Sequence, residues 1–409
     1  MQVERTELSF DAIDPDTYVN GHPHAAYARL RRENPVLWHP EAPPGRGFWL
    51  LTRYDDIRHV SRHPETFSSS SGFKAQDDSY ERMGADIDTA MRRIILAIDP
   101  PDHTAMRALL MPFFTTGALK GMEHGIRKRV RRILAPLKAG DTIDVVPGLA
   151  AELPIQVLCE VLGVDEKDHE QVLAWTYQMT GADDPDFNVT PARAAGAFRE
   201  VFEFGRRAID QRRQRPTGDL VSVVANARFR GELLDRDQVD GFFALMIGAG
   251  NETTRNAISG SIHALARFPE QKRMLAQDPS VWPTAIEELL RYLSPVIHMR
   301  RTTLADTEIS GQAVASGDKI VMLYGAANRD PEVFEAPDDL DVRRNNARRH
   351  FAFGTGIHQC LGAMLARMEL RIVLQEFLAK FPDYRPQTEP TYLRSNFVHG
   401  IKSYSVTLH

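Results

Sequence analysis

Cys360 stands in Phe351-Ala352-Phe353-Gly354-Thr355-Gly356-Ile357-His358-Gln359-Cys360-Leu361-Gly362, a glycine-bracketed loop that runs into a helical pattern starting near Leu361. A thiol at the entrance to a helix meets the positive end of the helix dipole and the N–H groups of the turn. Both lower its pKa and make it a metal ligand or a nucleophile. Gly354, Gly356 and Gly362 let the backbone turn tightly and let a flat partner approach, and Phe353 is placed to stack on it. Two plainer readings compete. A lone cysteine is often a small buried hydrophobe, and a Cys with a nearby His can be a hydrolase nucleophile, although no base is placed convincingly beside Cys360.

A second group lies in Ala249-Gly250-Asn251-Glu252-Thr253-Thr254. An acid beside a hydroxyl in an otherwise apolar helix is costly unless it is exposed or useful. Gly250 removes a side chain one turn from Thr253, which opens space beside the helix. A Thr hydroxyl can also bond to the carbonyl one turn back and bend the helix. The residues alone allow either a kink with a solvent-facing glutamate or a route for protons. Glu288 and Arg291 form a third group, on one helix face and able to pair. By themselves they read most simply as a surface ion pair.

These groups need a helical frame. Helical periodicity covers 25–33, 54–62, 102–111, 118–136, 149–162, 193–213 and 281–292. The longest pattern runs from Asp235 to Phe268, with Asp235 or Asp237 as its cap and Pro269 after its end. As one helix it spans roughly 50 Å, and its apolar middle, Gly241 to Gly250, should cross the interior. Alternating, β-branched stretches appear at 47–53 and in a pair, 306–313 and 319–324, joined by Ser316-Gly317-Asp318. Segment 68–98 opens on Ser68-Ser69-Ser70-Ser71-Gly72 with weak periodicity, which predicts a working loop or a mobile lid. No repeat or low-complexity linker divides the chain. The expectation is one domain over 1–409, mainly α with a small β region.

Two cysteines in 409 residues exclude a disulfide framework and fit a reducing compartment. Cys159 lies in the apolar run Leu153 to Cys159 and reads as core. Met1-Gln2-Val3-Glu4-Arg5 lacks the pattern of a signal peptide. No stretch approaches the ~20 apolar residues of a membrane span, so a cytoplasmic protein is expected. The net charge is -5. Basic residues cluster at Arg127-Lys128-Arg129-Val130-Arg131-Arg132, and at Arg343-Arg344 and Arg348-Arg349. They lack interleaved aromatics, which argues against nucleic acid and for a solvated helix face. If the second cluster surrounds the cysteine, it would suit an acidic electron donor.

The cysteine loop resembles the haem-binding loop of the cytochrome P450 family, Phe-Gly-x-Gly-x-His-x-Cys-x-Gly, at each fixed position. Ala249 to Thr253 resembles the family's oxygen-activation signature, and Glu288-Leu289-Leu290-Arg291 its Glu-x-x-Arg motif. Gly47 to Asp56 and Ala326 to Pro331 are similar to soluble bacterial members, so the resemblance covers essentially the whole chain. It implies the P450 fold, a triangular, helix-rich single domain around a buried haem b, with Cys360 as the axial thiolate of the iron. Phe353, Gly354, Gly362, Ala249 and Gly250 would then lie against the haem. His103, Arg107, Arg301 and His358 are the implied partners of its propionates. Arg301 is preferred to Arg300, on the opposite strand face, by its spacing to Gly311. Thr253 is implied to hydrogen-bond dioxygen and Glu252 to relay protons. Glu288 and Arg291 would form a buried structural network with Arg343 or Arg344. Leu340, where many members have Phe, departs from the pattern.

The resemblance also implies a mostly apolar pocket with Met246, Val296, Ile297 and Phe397 among its walls. His298 is either a polar handle there or a satisfied core histidine. Gly250 to Asn256 looks like members that oxidise sterol side chains and methyl-branched lipids. His298 to Thr302, with Asn346 to His350, looks like terminal alkane and fatty-acid hydroxylases. The implied enzyme is a haem-thiolate monooxygenase acting with O2 on an aliphatic, fatty-acid, terpenoid or steroid compound. Nothing resembles a flavin or iron–sulfur domain, so a ferredoxin and its NAD(P)H-dependent reductase are the implied electron source. A peroxide-driven peroxygenase and a haem-binding sensor or carrier without turnover are the alternatives.

Overall fold

Phe48–Leu51 and the apolar part of Lys319–Leu323 are buried at every position, the pattern of strands covered on both faces. They are parallel neighbours inside a five-stranded sheet. The order is Val36–His39, Phe48–Leu51, Lys319–Leu323, His298–Thr303 and Phe67–Ser68. Trp49, Leu51, Ile320 and Met322 point to one face, where Tyr54, Ile57, Val60, Phe334 and Phe351 cover them. Leu37, Phe48, Leu50, Val321 and Leu323 point to the other, under Tyr18, Tyr27 and Leu30.

This computed structural model describes residues 11–43, 45–76 and 78–409. The chain forms two compact units, each assembled from separate stretches. The first takes Met1–Asp77, His263–Cys360 and Thr391–Lys402 and holds the five-stranded sheet. The second takes Asp78–Ile262, Leu361–Pro390 and Ser403–His409 and is mainly helical. The mainly α class with a small β region is what the sequence predicts.

Local rules account for several helix ends in the second unit. Asp235 closes a capping box with Gln238. Thr190 caps Pro191–Gln214, which has Pro at its first position. Asp219 caps Leu220–Asn226. Gly163 ends Glu152–Leu162 in the left-handed conformation at φ +66°. Within the first unit, Trp282–Leu293 ends at Ser294, also left-handed.

Four expectations need correction. The pattern from Asp235 to Phe268 is two helices, Arg236–Gly250 and Glu252–Arg267, broken at Asn251. The pair 306–313 and 319–324 does not form. Thr307–Ile309 pairs instead with Gln312–Val314, because Ser310 and Gly311 both take positive φ and make a two-residue hairpin turn. Lys319–Leu323 joins His298–Thr303, a strand absent from the sequence reading. Segment 68–98 is not a structureless loop, since Asp78–Met83 and Ala85–Met91 are helical around Gly84. The basic run 127–132 is not simply a solvated face. Arg127 and Arg131 hold Glu376, Arg129 holds Glu160, and Arg132 reaches Gln156.

Candidate active site

The cysteine loop of the first unit is tied at both ends. Phe351 stacks on Tyr54 with ring centres 4.1 Å apart, and its N–H donates to Asn328 Oδ1 at 2.6 Å. The Cys360 N–H donates to the Phe353 carbonyl at 2.9 Å and closes the turn. Gly354 and Gly356 have φ of +68° and +74°. A side chain on Gly356 would meet the Ser61 carbonyl, so only glycine fits there. Gly362 has a negative φ, and an added Cβ would find no atom within 4 Å. Its small size leaves open space and is not required by the backbone. The Cys360 side chain is exposed. Cys159, in the second unit, is buried, and burial pushes its thiol up to about 12.

Behind the loop, Glu288 and Arg291 are fully buried and paired bidentately through Nε and Nη2, at 2.7 and 2.8 Å. Arg344 Nε joins Glu288 at 3.1 Å. The third member is therefore Arg344, while Arg343 is exposed and lies 3.7 Å from Asp278. Leu340 is buried and the network forms around it intact. Arg291 also donates to the carbonyls of Asn328, Pro337 and Asp339.

Arg301 and Arg300 are both buried and point to opposite faces of their strand. Arg300 donates to the carbonyls of Ser71 and Lys74 and to Thr302 Oγ1. It anchors the backbone after Phe67–Ser68. Arg301 pairs across from Ile320, on the face that carries Tyr324 and Phe351, and donates to the Arg300 carbonyl at 2.7 Å. His358 Nε2 is 3.0 Å from Ser69 Oγ. His298 is fully buried, and burial pulls its pKa down to about 4. Its Nε2 accepts the Ala75 N–H at 3.0 Å, so it is a neutral tie for the 71–76 segment. Ile297 is 0% exposed in the core with Leu37, Phe48 and Leu50, so it lines no cavity. Alternation along the chain turns Val296 the other way, against the core cluster of Trp49 and Met322, and Val296 and Phe397 are half-buried.

In the second unit, Leu245, Met246, Ala249 and Thr253 fall on one face of the central helical pair that is incompletely covered, with Ala249 exposed. Gly248 on that side has no atom within 4 Å of an added Cβ. Gly250 does not open space as expected. A Cβ there would lie 2.9 Å from Leu158 Cδ1, so this glycine permits close helix packing. Thr253 Oγ1 donates to the Ala249 carbonyl at 3.0 Å, across the break at Asn251. Glu252 is buried and paired with Arg255, not solvent-facing. His103 is buried on Asp102–Leu110, and Arg107 lies one turn later on the same helix.

The chain is 38% identical to linalool 8-monooxygenase of Pseudomonas putida, covering 97% of this chain and 98% of that one. It is 36% identical to the methyl-branched lipid omega-hydroxylase of Mycobacterium tuberculosis, covering 99% and 94%. A family model described as Cytochrome P450 matches residues 278–408. The chain belongs to the cytochrome P450 family. A solved Mycobacterium marinum cytochrome P450 in complex with pseudoionone superimposes with a TM-score of 0.90, at 34% identity and full coverage of both chains.

The P450 family brings haem b as cofactor and monooxygenase activity. Residues of each unit, taken by itself, are of kinds that suit that group. An exposed thiol stands on a rigid glycine turn beside the open Gly362 position. Arg301 is a buried cation of the kind a propionate carboxylate takes. The Ala249 face is mostly apolar and incompletely covered. Sequence reasoning missed Asn328, Ser69 and Arg255. Arg255 was readable, because it sits three residues after Glu252, the same spacing that flagged Glu288 and Arg291.

Proposed function

We propose that this P450 hydroxylates a lipophilic aliphatic, terpenoid or steroid compound near an exposed chain end, the whole of 1–409 acting as one catalytic domain in the cytoplasm. The observation that carries the reading is the exposed Cys360 on its glycine turn, backed by the buried Glu288–Arg291–Arg344 network. The named relatives act on linalool and methyl-branched lipids, and the M. marinum structure holds pseudoionone. Those compounds share branched apolar chains.

Bound haem supplies the activation of dioxygen, with its electronics set by the thiolate ligand. In this proposal Cys360 is that ligand, and Arg301, His103, Arg107 and His358 hold the propionates. Phe353, Gly354, Gly362 and Ala249 lie against the ring. Thr253 carries a proton at Oγ1, and Glu252 renews it. Met246, Val296 and Phe397 offer apolar surface to the substrate and keep water away. A ferredoxin and its NAD(P)H-dependent reductase supply electrons. Exposed Arg348 and Arg349, just before the cysteine loop, suit an acidic donor.

The test has two parts. Carbon monoxide added to the reduced protein should give the strongly red-shifted Soret band of a thiolate-bound haem. An unshifted band would remove Cys360 from its role. A panel of terpenoids, fatty acids, alkanes and steroids should then displace the haem spectrum of the oxidised protein. Small aromatics shifting it while the whole panel does not would overturn the substrate class.

A further inference from the structure

Glu252 is 3% exposed, and its Oε1 accepts from Arg255 Nη2 at 3.0 Å. Arg255 is itself 2% exposed. Burying two opposite charges is unfavourable unless further hydrogen bonds complete the pair. Here the rest of the guanidinium finds Asn256 Oδ1, 3.4 Å from Nε, and the face of Tyr177, whose ring centre lies 5.3 Å from Cζ. Tyr177 belongs to the His169–Thr180 helix and is half-buried. A short chain of contacts therefore leads from the buried acid, along the guanidinium, to the half-buried ring of Tyr177.

Two buried amides flank this route. Asn251 is 0% exposed, and neither its Oδ1 nor its Nδ2 bonds to another protein group. The Nδ2 of Asn256 is in the same position. Buried amide atoms of this kind are satisfied by ordered water. The break at Asn251 sets the local geometry. It leaves the Arg255 N–H on the Asn251 carbonyl at 3.0 Å and turns Thr253 Oγ1 back to Ala249. Acid, alcohol, arginine and both amides thus fall within two helical turns.

We propose that Arg255 is a positioning residue of the proton relay. Its ion pair stores Glu252 as a carboxylate in the helix break, and waters held by Asn251 and Asn256 bring protons back to it from the Tyr177 side. The inference rests on the reading of Glu252 as the relay acid. A carboxylate that leaves its guanidinium inside a protein favours the neutral form and takes a proton from water. It then passes that proton to the Thr253 hydroxyl and returns to Arg255. Thr253 gives up its own hydroxyl proton as it takes this one, and the guanidinium keeps its proton throughout, so each cycle moves one proton from solvent through Thr253 and leaves the chain unchanged.

The experiment uses the haem-loaded protein with Arg255→Gln, Arg255→Lys, Glu252→Gln and the Arg255→Gln/Glu252→Gln double variant. Infrared spectra at neutral pH should show an added carboxylic-acid band in Arg255→Gln. That band should be absent from the wild type, Arg255→Lys and the double variant. With substrate and redox partners, the share of electrons recovered as product should fall about tenfold in Arg255→Gln. Substrate affinity by spectral titration should hold, the pH profile of coupled turnover should change, and Arg255→Lys should recover most of the loss. A wild-type pH profile and coupling in Arg255→Gln, beside an uncoupled Glu252→Gln, would overturn the role of Arg255 and leave the relay standing. Wild-type coupling in Glu252→Gln would instead remove the relay itself. Should Arg255→Gln fail to fold, Tyr177→Leu decides. It removes the platform under the guanidinium at a half-buried position, and an unchanged pH profile there would also overturn the proposal.

Discussion

Arg291 donates from Nη1 to the Asn328 carbonyl at 2.8 Å, and the side chain of the same asparagine receives the Phe351 N–H at 2.6 Å. A buried helix-borne ion pair is thereby linked, through one residue, to the first position of the cysteine loop. Breaking a buried pair by removing one partner strands a charge and costs about 3–5 kcal/mol. Glu288→Gln, which strands Arg291 and Arg344, should therefore lower thermal stability by that order, and Arg344→Ala, which leaves Glu288 paired with Arg291, by less; both should reduce haem retained per protein. Arg343→Ala, at an exposed position, should change the melting temperature little. Equal effects of Arg343→Ala and Arg344→Ala would show that the network does not carry the loop.

Arg300 and Arg301 separate two kinds of work. Arg300 donates to the Ser71 and Lys74 carbonyls, so Arg300→Ala should loosen that segment. Faster proteolysis near 71–76 with haem content kept is the expected result. Arg301→Ala should instead weaken haem binding, since it removes the cation assigned to a propionate. Haem loss on titration with apomyoglobin measures the difference. Faster haem loss from Arg300→Ala than from Arg301→Ala would reverse the assignment.

The two cysteines differ in access. Only a thiolate is an efficient nucleophile, and Cys159 is buried with its thiol pushed up to about 12. Haem-free folded protein should take up one equivalent of iodoacetamide, at Cys360, and haem-loaded protein should resist it. Modification at Cys159 before unfolding would contradict the packing of Glu152–Leu162.

The cysteine loop was legible because it is local, and so was the pairing of Glu288 with Arg291, although the residues alone read as a surface pair and their burial came only through the family resemblance. Fixed spacing on a turn or on one helix face carries them, and no distant contact is needed to see them. Arg344 could not be told from Arg343 in the same way, because only the path of the 328–344 segment decides which side chain meets Glu288. Strand pairing failed for a related reason. Ser310-Gly311 and Ser316-Gly317-Asp318 both read as turns, and only the sheet partner His298–Thr303 decides which one makes a hairpin. Gly250 was misread because its neighbour, Leu158, is remote in sequence.

Thr253 Oγ1 donates to the Ala249 carbonyl and keeps its lone pairs for an incoming proton donor. Thr253→Ala should leave haem binding and the carbon monoxide spectrum unchanged. Electrons should be diverted to hydrogen peroxide, with product formation down by roughly two orders of magnitude or more. Oxygen uptake, peroxide and product are measured together. Tight coupling in Thr253→Ala would refute the role given to this hydroxyl.

Stability should fall on mild acidification because of buried histidines in the first unit. Burial pulls His22 and His298 down to about 4, and His24 and His399 also lie well below the ordinary value. The His22 and His399 ring centres are 4.2 Å apart, and Arg329 adds a like charge near His22, His24 and His399. Above pH ~6.5 these groups are neutral in both the folded and unfolded chain, so they give no slope. Below it the unfolded chain takes protons that the fold refuses. Their contribution is thus lost as pH falls from ~6.5 toward about 4, by up to about 3 kcal/mol each for His22 and His298. Glu369 in the second unit acts in the opposite direction. Burial raises its pKa well above the ordinary value, so its contribution is present at low pH and is lost as pH rises. Denaturant midpoints followed down the acid range should drop across the histidine window, and His298→Gln should flatten part of that slope. A midpoint constant from neutral pH to about pH 4.5 would mean that these histidines accept protons without loss of their packing.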